Sequence, residues 1–126
     1  MFLPSLLGQA DDDLAEEIIP RAMTVTILGT YAQTELGHGT NLRDLETTAT
    51  FDKATQEFVI NTPSKSAMKW WPGNMGKMAN YAIVVARLII DGKNYGPHNF
   101  LVQLRSEETH MYLTNDSRNK FLIHDA

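Results

Sequence analysis

YAIVVARLII, residues 81–90, decides the fold. It is a continuous apolar run broken only by Arg87, rich in β-branched side chains, and it reads as a strand. Asp91-Gly92-Lys93-Asn94 follows as a turn, and His98 to Arg105 reads as another strand, with Phe100, Val102 and Leu104 alternating. Working back, Ser66–Trp71 reads as a strand. Thr47–Asp52 and Glu57–Asn61 flank the turn Lys53–Gln56, so 47–61 is a predicted hairpin. Met23–Ala32, with its Thr, Val, Ile and Tyr, is a further strand. Residues 9–22 predict one short helix, with aspartates at its start, an apolar stripe of Leu14, Ile18 and Ile19, and Pro20 near its end. The expectation is a mainly β protein with a short N-terminal helix, its strands in an antiparallel sheet or partial β-barrel. Beyond Arg105, residues 114–119 are polar and turn-like, and Phe121-Leu122-Ile123 has the composition of a short strand.

The chain has 126 residues, the size of one domain. It has no cysteine, which excludes disulfides, thiolate metal sites and a cysteine nucleophile. No apolar run approaches the ~20 residues of a membrane span. The apolar start, Met1–Leu7, lacks a basic flank and meets Asp11-Asp12-Asp13, so it makes a poor signal peptide. A net charge of −4 argues against general nucleic-acid binding. The charge is uneven: residues 1–59 sum to −7 and residues 60–105 to +5. A basic half suits a phosphate-bearing ligand or an acidic partner, and equally a solvated mixed surface.

Two stretches hold candidate chemistry. YAQTELGHGT, residues 31–40, places hydroxyls, an amide, a carboxylate and a histidine beside Gly37 and Gly39. Glycine lets a ligand approach the main chain closely. Such a loop either connects two strands or is shaped around something polar. KWWPGNMGK, residues 69–77, carries adjacent tryptophans, which in a strand face opposite sides of the sheet, so that either one is core and the other exposed, or both are packed against other elements. An exposed tryptophan is a stacking platform for a flat ligand or an anchor for a partner. The four histidines lack metal-ligand spacing. Gly37-His38-Gly39 lacks the third glycine and following helix of a dinucleotide fingerprint, and no Gly-x-Ser-x-Gly occurs.

GTYAQTELGHGTNLRDLETTATFD, then FVINTP and KWWPGNMGK, together resemble the acyl-CoA oxidases, peroxisomal flavoenzymes of fatty acid β-oxidation related to the acyl-CoA dehydrogenases. The resemblance runs from about Leu3 to Arg105. It implies a helical lead-in over 1–22 from the family's N-terminal domain, an incomplete FAD-binding middle β-domain over 23–105, and a divergent tail over 106–126. By motif position it implies that Tyr31, Ala32, Gln33 and Thr34 line the isoalloxazine, with Thr34 bonding its pyrimidine edge. Gly39 and Thr40 then lie further along toward the phosphates, and Trp71 and Gly73 beside the ring. The substrate implied is an acyl-CoA, converted with O₂ to trans-2-enoyl-CoA and H₂O₂. The family's catalytic base is a glutamate of a C-terminal domain, so no catalytic residue is expected in this stretch; Glu35 belongs to the motif without being the base. The alternative is a non-enzymatic module that forms homo- or hetero-oligomers with oxidase chains through its sheet edges. The family's usual WPGG is WPGN here, and its usual glycine is replaced by Asp44.

Overall fold

The structure, a computed structural model, describes residues 1–113 and the backbone of 119–120. Two helices, α1 (Phe2–Gln9) and α2 (Asp12–Met23), precede six strands: β1 (Gly29–Ala32), β2 (Thr48–Asp52), β3 (Glu57–Asn61), β4 (Tyr81–Ile90), β5 (Lys93–Gln103) and the two-residue β6 (Asn119–Lys120). All six belong to one sheet, ordered β1-β4-β2-β3-β6, with β5 also on β4.

The run at 81–90 is the centre of this sheet. β5 lies antiparallel along one of its edges, from Tyr81↔Gln103 to Ile90↔Lys93. The other edge is divided. β1 pairs with Tyr81–Val84 and β2 with Arg87–Ile89, both parallel to β4. β1 and β2 therefore run in one direction along one edge, interrupted by an excursion of the chain over residues 33–47. This corrects the antiparallel expectation: the hairpins β2–β3 and β4–β5 are antiparallel, but β1 and β2 meet β4 in parallel, as β6 meets β3. The result is a small mixed α/β fold with an open sheet. The sheet curls enough to stack Phe58 of β3 on Phe100 of β5, with ring centroids 5.2 Å apart.

Burial on both faces explains why residues 81–90 show no polar alternation. Tyr81 and Ile83 face the helices, where Phe2, Leu6, Ile18 and Ile27 pack with them. Ala82, Val84 and Ala86 face a second core with Ala32, Ala49, Ile60, Met75, Ala79, Val102 and Leu104. Gly29 is needed because any Cβ there would overlap the Phe2 ring.

The helical expectation is corrected to two helices. Asp11 caps α2, accepting from the Leu14 N–H at 2.9 Å. The predicted strand from Met23 shrinks to Gly29–Ala32 because α2 runs on to Met23 and closes with a left-handed residue. Thr26 N–H reaches Arg21 C=O at 2.9 Å, and Val25 takes φ 57°. The predicted turn at Asp91-Gly92 is present, with both residues at positive φ. β5 begins at Lys93, earlier than His98. Ser66–Trp71 is not a strand. Ala67 N–H to Ser64 C=O and Met68 N–H to Lys65 C=O bend it into turns, leaving one bridge, Lys69 to Glu35. The strand expected at Phe121-Leu122-Ile123 lies outside the described residues. No helix among them is long and apolar enough to cross a membrane.

Candidate functional site

The excursion 33–47 is closed at its neck by Glu35. Its carboxylate accepts from the N–H groups of Glu46 at 2.8 Å and Thr47 at 2.9 Å. A compact loop with joined ends is an Ω-loop, a frequent carrier of function. Its near limb is strapped to residues 66–70: Leu36 N–H to Met68 C=O at 2.8 Å, Gly37 N–H to Ser66 C=O at 2.8 Å, and Trp70 N–H to Thr34 C=O at 3.1 Å. Gly37 permits this approach, since a Cβ would stand 2.9 Å from that of Ser66.

Lys69 lies at the centre of the junction. Its ammonium donates to Gln33 C=O at 2.8 Å, Glu35 Oε1 at 3.2 Å and Val85 C=O at 2.7 Å. Val85 sits in the gap of the β4 edge, after β1 has left and before β2 arrives. The ammonium thus satisfies a strand carbonyl that no neighbouring strand reaches. Both Glu35 and Lys69 are about fully buried, with 2% and 1% of their surface exposed. Burial pushes the Lys69 pKa down, and the Glu35 charge opposes that shift. Each charge is tolerable only because the other is present and both are hydrogen-bonded.

A second polar cluster sits on the far limb. Glu46 accepts from Ser66 at 2.6 Å and Ser64 at 3.0 Å, and meets His38 Nε2 at 3.1 Å. The two hydroxyls, Ser66 foremost, hold its carboxyl below the usual range, with His38 adding to the effect. Ligand atoms of Glu35, His38 and Glu46 fall within 4.8 Å of one another. They do not form a cation site, because the Glu35 oxygens are already engaged by two N–H groups and an ammonium.

The second predicted stretch leaves this junction as a loop. Trp70 and Trp71 are both exposed, at 48% and 77%, which corrects the expectation that at least one indole is packed inside. Arg105, itself buried, holds the loop beyond them. It donates to Met75 C=O at 2.9 Å, Gly76 C=O at 2.7 Å and Ala79 C=O, and stacks on Tyr112 with its guanidinium carbon 4.0 Å from the ring centroid. Tyr112 and His110 add bonds to Gly76 C=O at 2.7 Å and Lys77 C=O at 2.9 Å. Position 74 does not take positive φ, so asparagine in place of the family's glycine carries no backbone strain.

The structure joins Gln33 and Thr34 to the tryptophan stretch through Trp70 N–H and the Lys69 ammonium. Tyr31 is half-buried toward the helices, its hydroxyl 3.3 Å from Gln33 Oε1, while the Ala32 side chain is wholly inside the opposite core. Gly39 and Thr40 are exposed at the outer end of the excursion, and Gly73 is exposed beside Trp71. Among the described residues no partner is recorded for the Thr34 hydroxyl or the Gln33 amide nitrogen. The basic half is less available than its charge implies, because Lys69 and Arg105 are buried and spent internally. Sequence reasoning missed Glu35, Lys69 and Arg105 as the frame of the site.

A relative from Caenorhabditis elegans, an acyl-coenzyme A oxidase, is 60% identical over 110 residues, 87% of this chain. A peroxisomal acyl-coenzyme A oxidase 1 from Arabidopsis thaliana is 54% identical over 115 residues, 91% of the chain. The crystal structure of Caenorhabditis elegans acyl-CoA oxidase-1 complexed with FAD and ATP superposes with a TM-score of 0.88 at 59% identity over 90% of this chain. The chain belongs to the acyl-CoA oxidase family. It spans 16% and 17% of the lengths of those two curated oxidases, and 18% of the crystallised one. No family model matches it. The acyl-CoA oxidase-2 structure from the same nematode, bound with FAD, ascaroside-CoA and ATP, matches with a TM-score of 0.89 at 56% identity, over 94% of this chain and 18% of that one.

Proposed function

We propose that this chain supplies the flavin-ring wall of an acyl-CoA oxidase. The observation that carries the reading is the junction itself. Backbone bonds and one ammonium hold Gln33 and Thr34, whose side-chain donors meet no partner among the described residues, beside two exposed indoles. A flavin needs both features: a flat surface against its ring, and donors toward the carbonyls and nitrogens of its pyrimidine edge. Relatives of similar sequence and fold bind FAD in crystals. Thr34 and Gln33 would hold the pyrimidine edge and Trp71 and Gly73 would flank the ring. Tyr31 and Ala32 would contribute as the strand beneath, and Gly39 and Thr40 would lie toward the phosphates.

When bound, FAD supplies the hydride acceptor for oxidation of an acyl-CoA to its trans-2-enoyl-CoA, with O₂ reduced to H₂O₂. The chain's own residues bind and orient. Donors at the pyrimidine edge stabilise the negative charge that reduction places there. Glu35 is not a base for the substrate α-proton, because its oxygens are buried and committed. In this reading the chain's role is to position a cofactor. The compartment proposed is the peroxisome, named for the Arabidopsis relative.

Titration of FAD with the purified chain, followed by flavin fluorescence, tests this. Thr34→Val is expected to weaken binding by on the order of 1–3 kcal/mol while the circular dichroism spectrum is unchanged. Equal affinity in the two proteins removes Thr34 from the site. The second reading, pairing with a full-length oxidase, is favoured by the outer edge of β5, which meets no other strand among the described residues. Failure to co-elute with such an oxidase on gel filtration would reject it.

A further inference from the structure

We infer that Lys69 is a positioning residue for this site, setting the register between the 31–40 loop and the Trp70–Trp71 stretch. The inference rests on the flavin reading and goes beyond it, because Lys69 itself is buried and touches no ligand surface. Three features support it. Its ammonium bonds three segments at once: Gln33 at the exit of β1, Glu35 at the neck of the excursion, and Val85 in β4. It fills the gap in the sheet ladder on that β4 edge, between the Val84 and Arg87 pairings. It is also adjacent in sequence to Trp70, whose N–H bonds Thr34. A donor fixed to β4 therefore aligns Gln33 and Thr34 on one side with the indoles on the other. Glu35 makes this tolerable by supplying the countercharge, and its own bonds to Glu46 and Thr47 return the chain to β2.

Lys69→Met alone leaves the Glu35 carboxylate buried without its countercharge, so loss of folding would say nothing about register. Glu35→Gln is the reference protein, because it removes the carboxylate charge and gives up one of the two oxygens that accept from Glu46 and Thr47 while keeping the Lys69 amine. The double variant Lys69→Met/Glu35→Gln differs from it only in that amine, so its Gln33 and Val85 carbonyls lose their donor. Amide exchange at Leu36 and Trp70 should then be about tenfold faster than in Glu35→Gln, with β4–β5 amides unchanged, and FAD should bind about tenfold more weakly than to Glu35→Gln. A double variant that matches Glu35→Gln in exchange at those amides, or in FAD affinity, overturns the role of Lys69 and leaves the flavin reading standing. A wild-type chain that binds no FAD overturns the flavin reading and this role with it.

Discussion

Arg105→Met tests whether one buried guanidinium holds the loop that follows the tryptophans. Arg105 donates to Met75, Gly76 and Ala79 carbonyls and is otherwise enclosed. Methionine keeps much of the stem and its packing but removes every donor. A buried carbonyl left unpaired costs about 1–3 kcal/mol, and bonds to a charged donor lie at the upper end. Gly76 C=O lies in the less buried of the three bonds, and it keeps the Tyr112 hydroxyl, so two carbonyls carry most of the loss. The expected destabilisation is about 3–5 kcal/mol, a large share of the 5–15 kcal/mol typical of a domain. With an m-value of about 2 kcal/mol/M, the urea midpoint should fall by about 2 M at constant m. Arg105→Lys should recover part of this, because an ammonium has donors but cannot fork across three carbonyls. A fall of less than about 0.5 M in Arg105→Met would refute the reasoning. It would show that the loop is held by the Tyr112 and His110 bonds instead.

Two further expectations follow from local chemistry. Glu46, with its pKa depressed by Ser66, Ser64 and His38, contributes stability above its unfolded value of about 4.5 that is lost as pH falls through the lower folded value. Ser66→Ala should therefore lower the urea midpoint at pH 7 more than at pH 3, and an equal drop at both would contradict the assignment. Val25, β-branched, exposed and left-handed at φ 57°, occupies the position where a helix C-terminus favours glycine. Val25→Gly should raise stability by about 0.5–1 kcal/mol in thermal melts, relief of strain exceeding the added chain entropy; a decrease would show that the Val25 side chain makes packing worth more than the strain.

The two hairpins and the central strand were legible because their signals are local. The Asp91-Gly92 turn and the Lys53–Gln56 turn fix pairings between adjacent segments, and the apolar run at 81–90 needs no partner to be recognised as buried. The parallel pairings were not legible. Nothing in GTYA or TATFD states that both lie on the same edge of a strand many residues later, and local turn signals favour antiparallel neighbours. The site was readable as two motifs, since glycines, hydroxyls and tryptophans advertise themselves. Its frame was not. Glu35 and Lys69 look like surface charges in sequence, and only the fold shows that they bury each other across 34 positions. The reading of Ser66–Trp71 as a strand failed because Ser64 and Ser66 turn the chain toward Glu46.

The divided edge of β4 also dictates an order of assembly. The β2–β3 hairpin closes over a few residues and can form as soon as Asn61 is made. β1 has no such partner. Its pairing at Gly29–Ala32 waits for Tyr81–Val84, and the outer edge of β4 needs β5 after that. Contacts of such sequence separation form slowly, because the intervening chain must first give up its entropy. The strand that leads into Gln33 and Thr34 is thus made well before the partner that locks it. On the ribosome, Gly29–Ala32 remains an unpaired strand until Tyr81–Val84 has emerged.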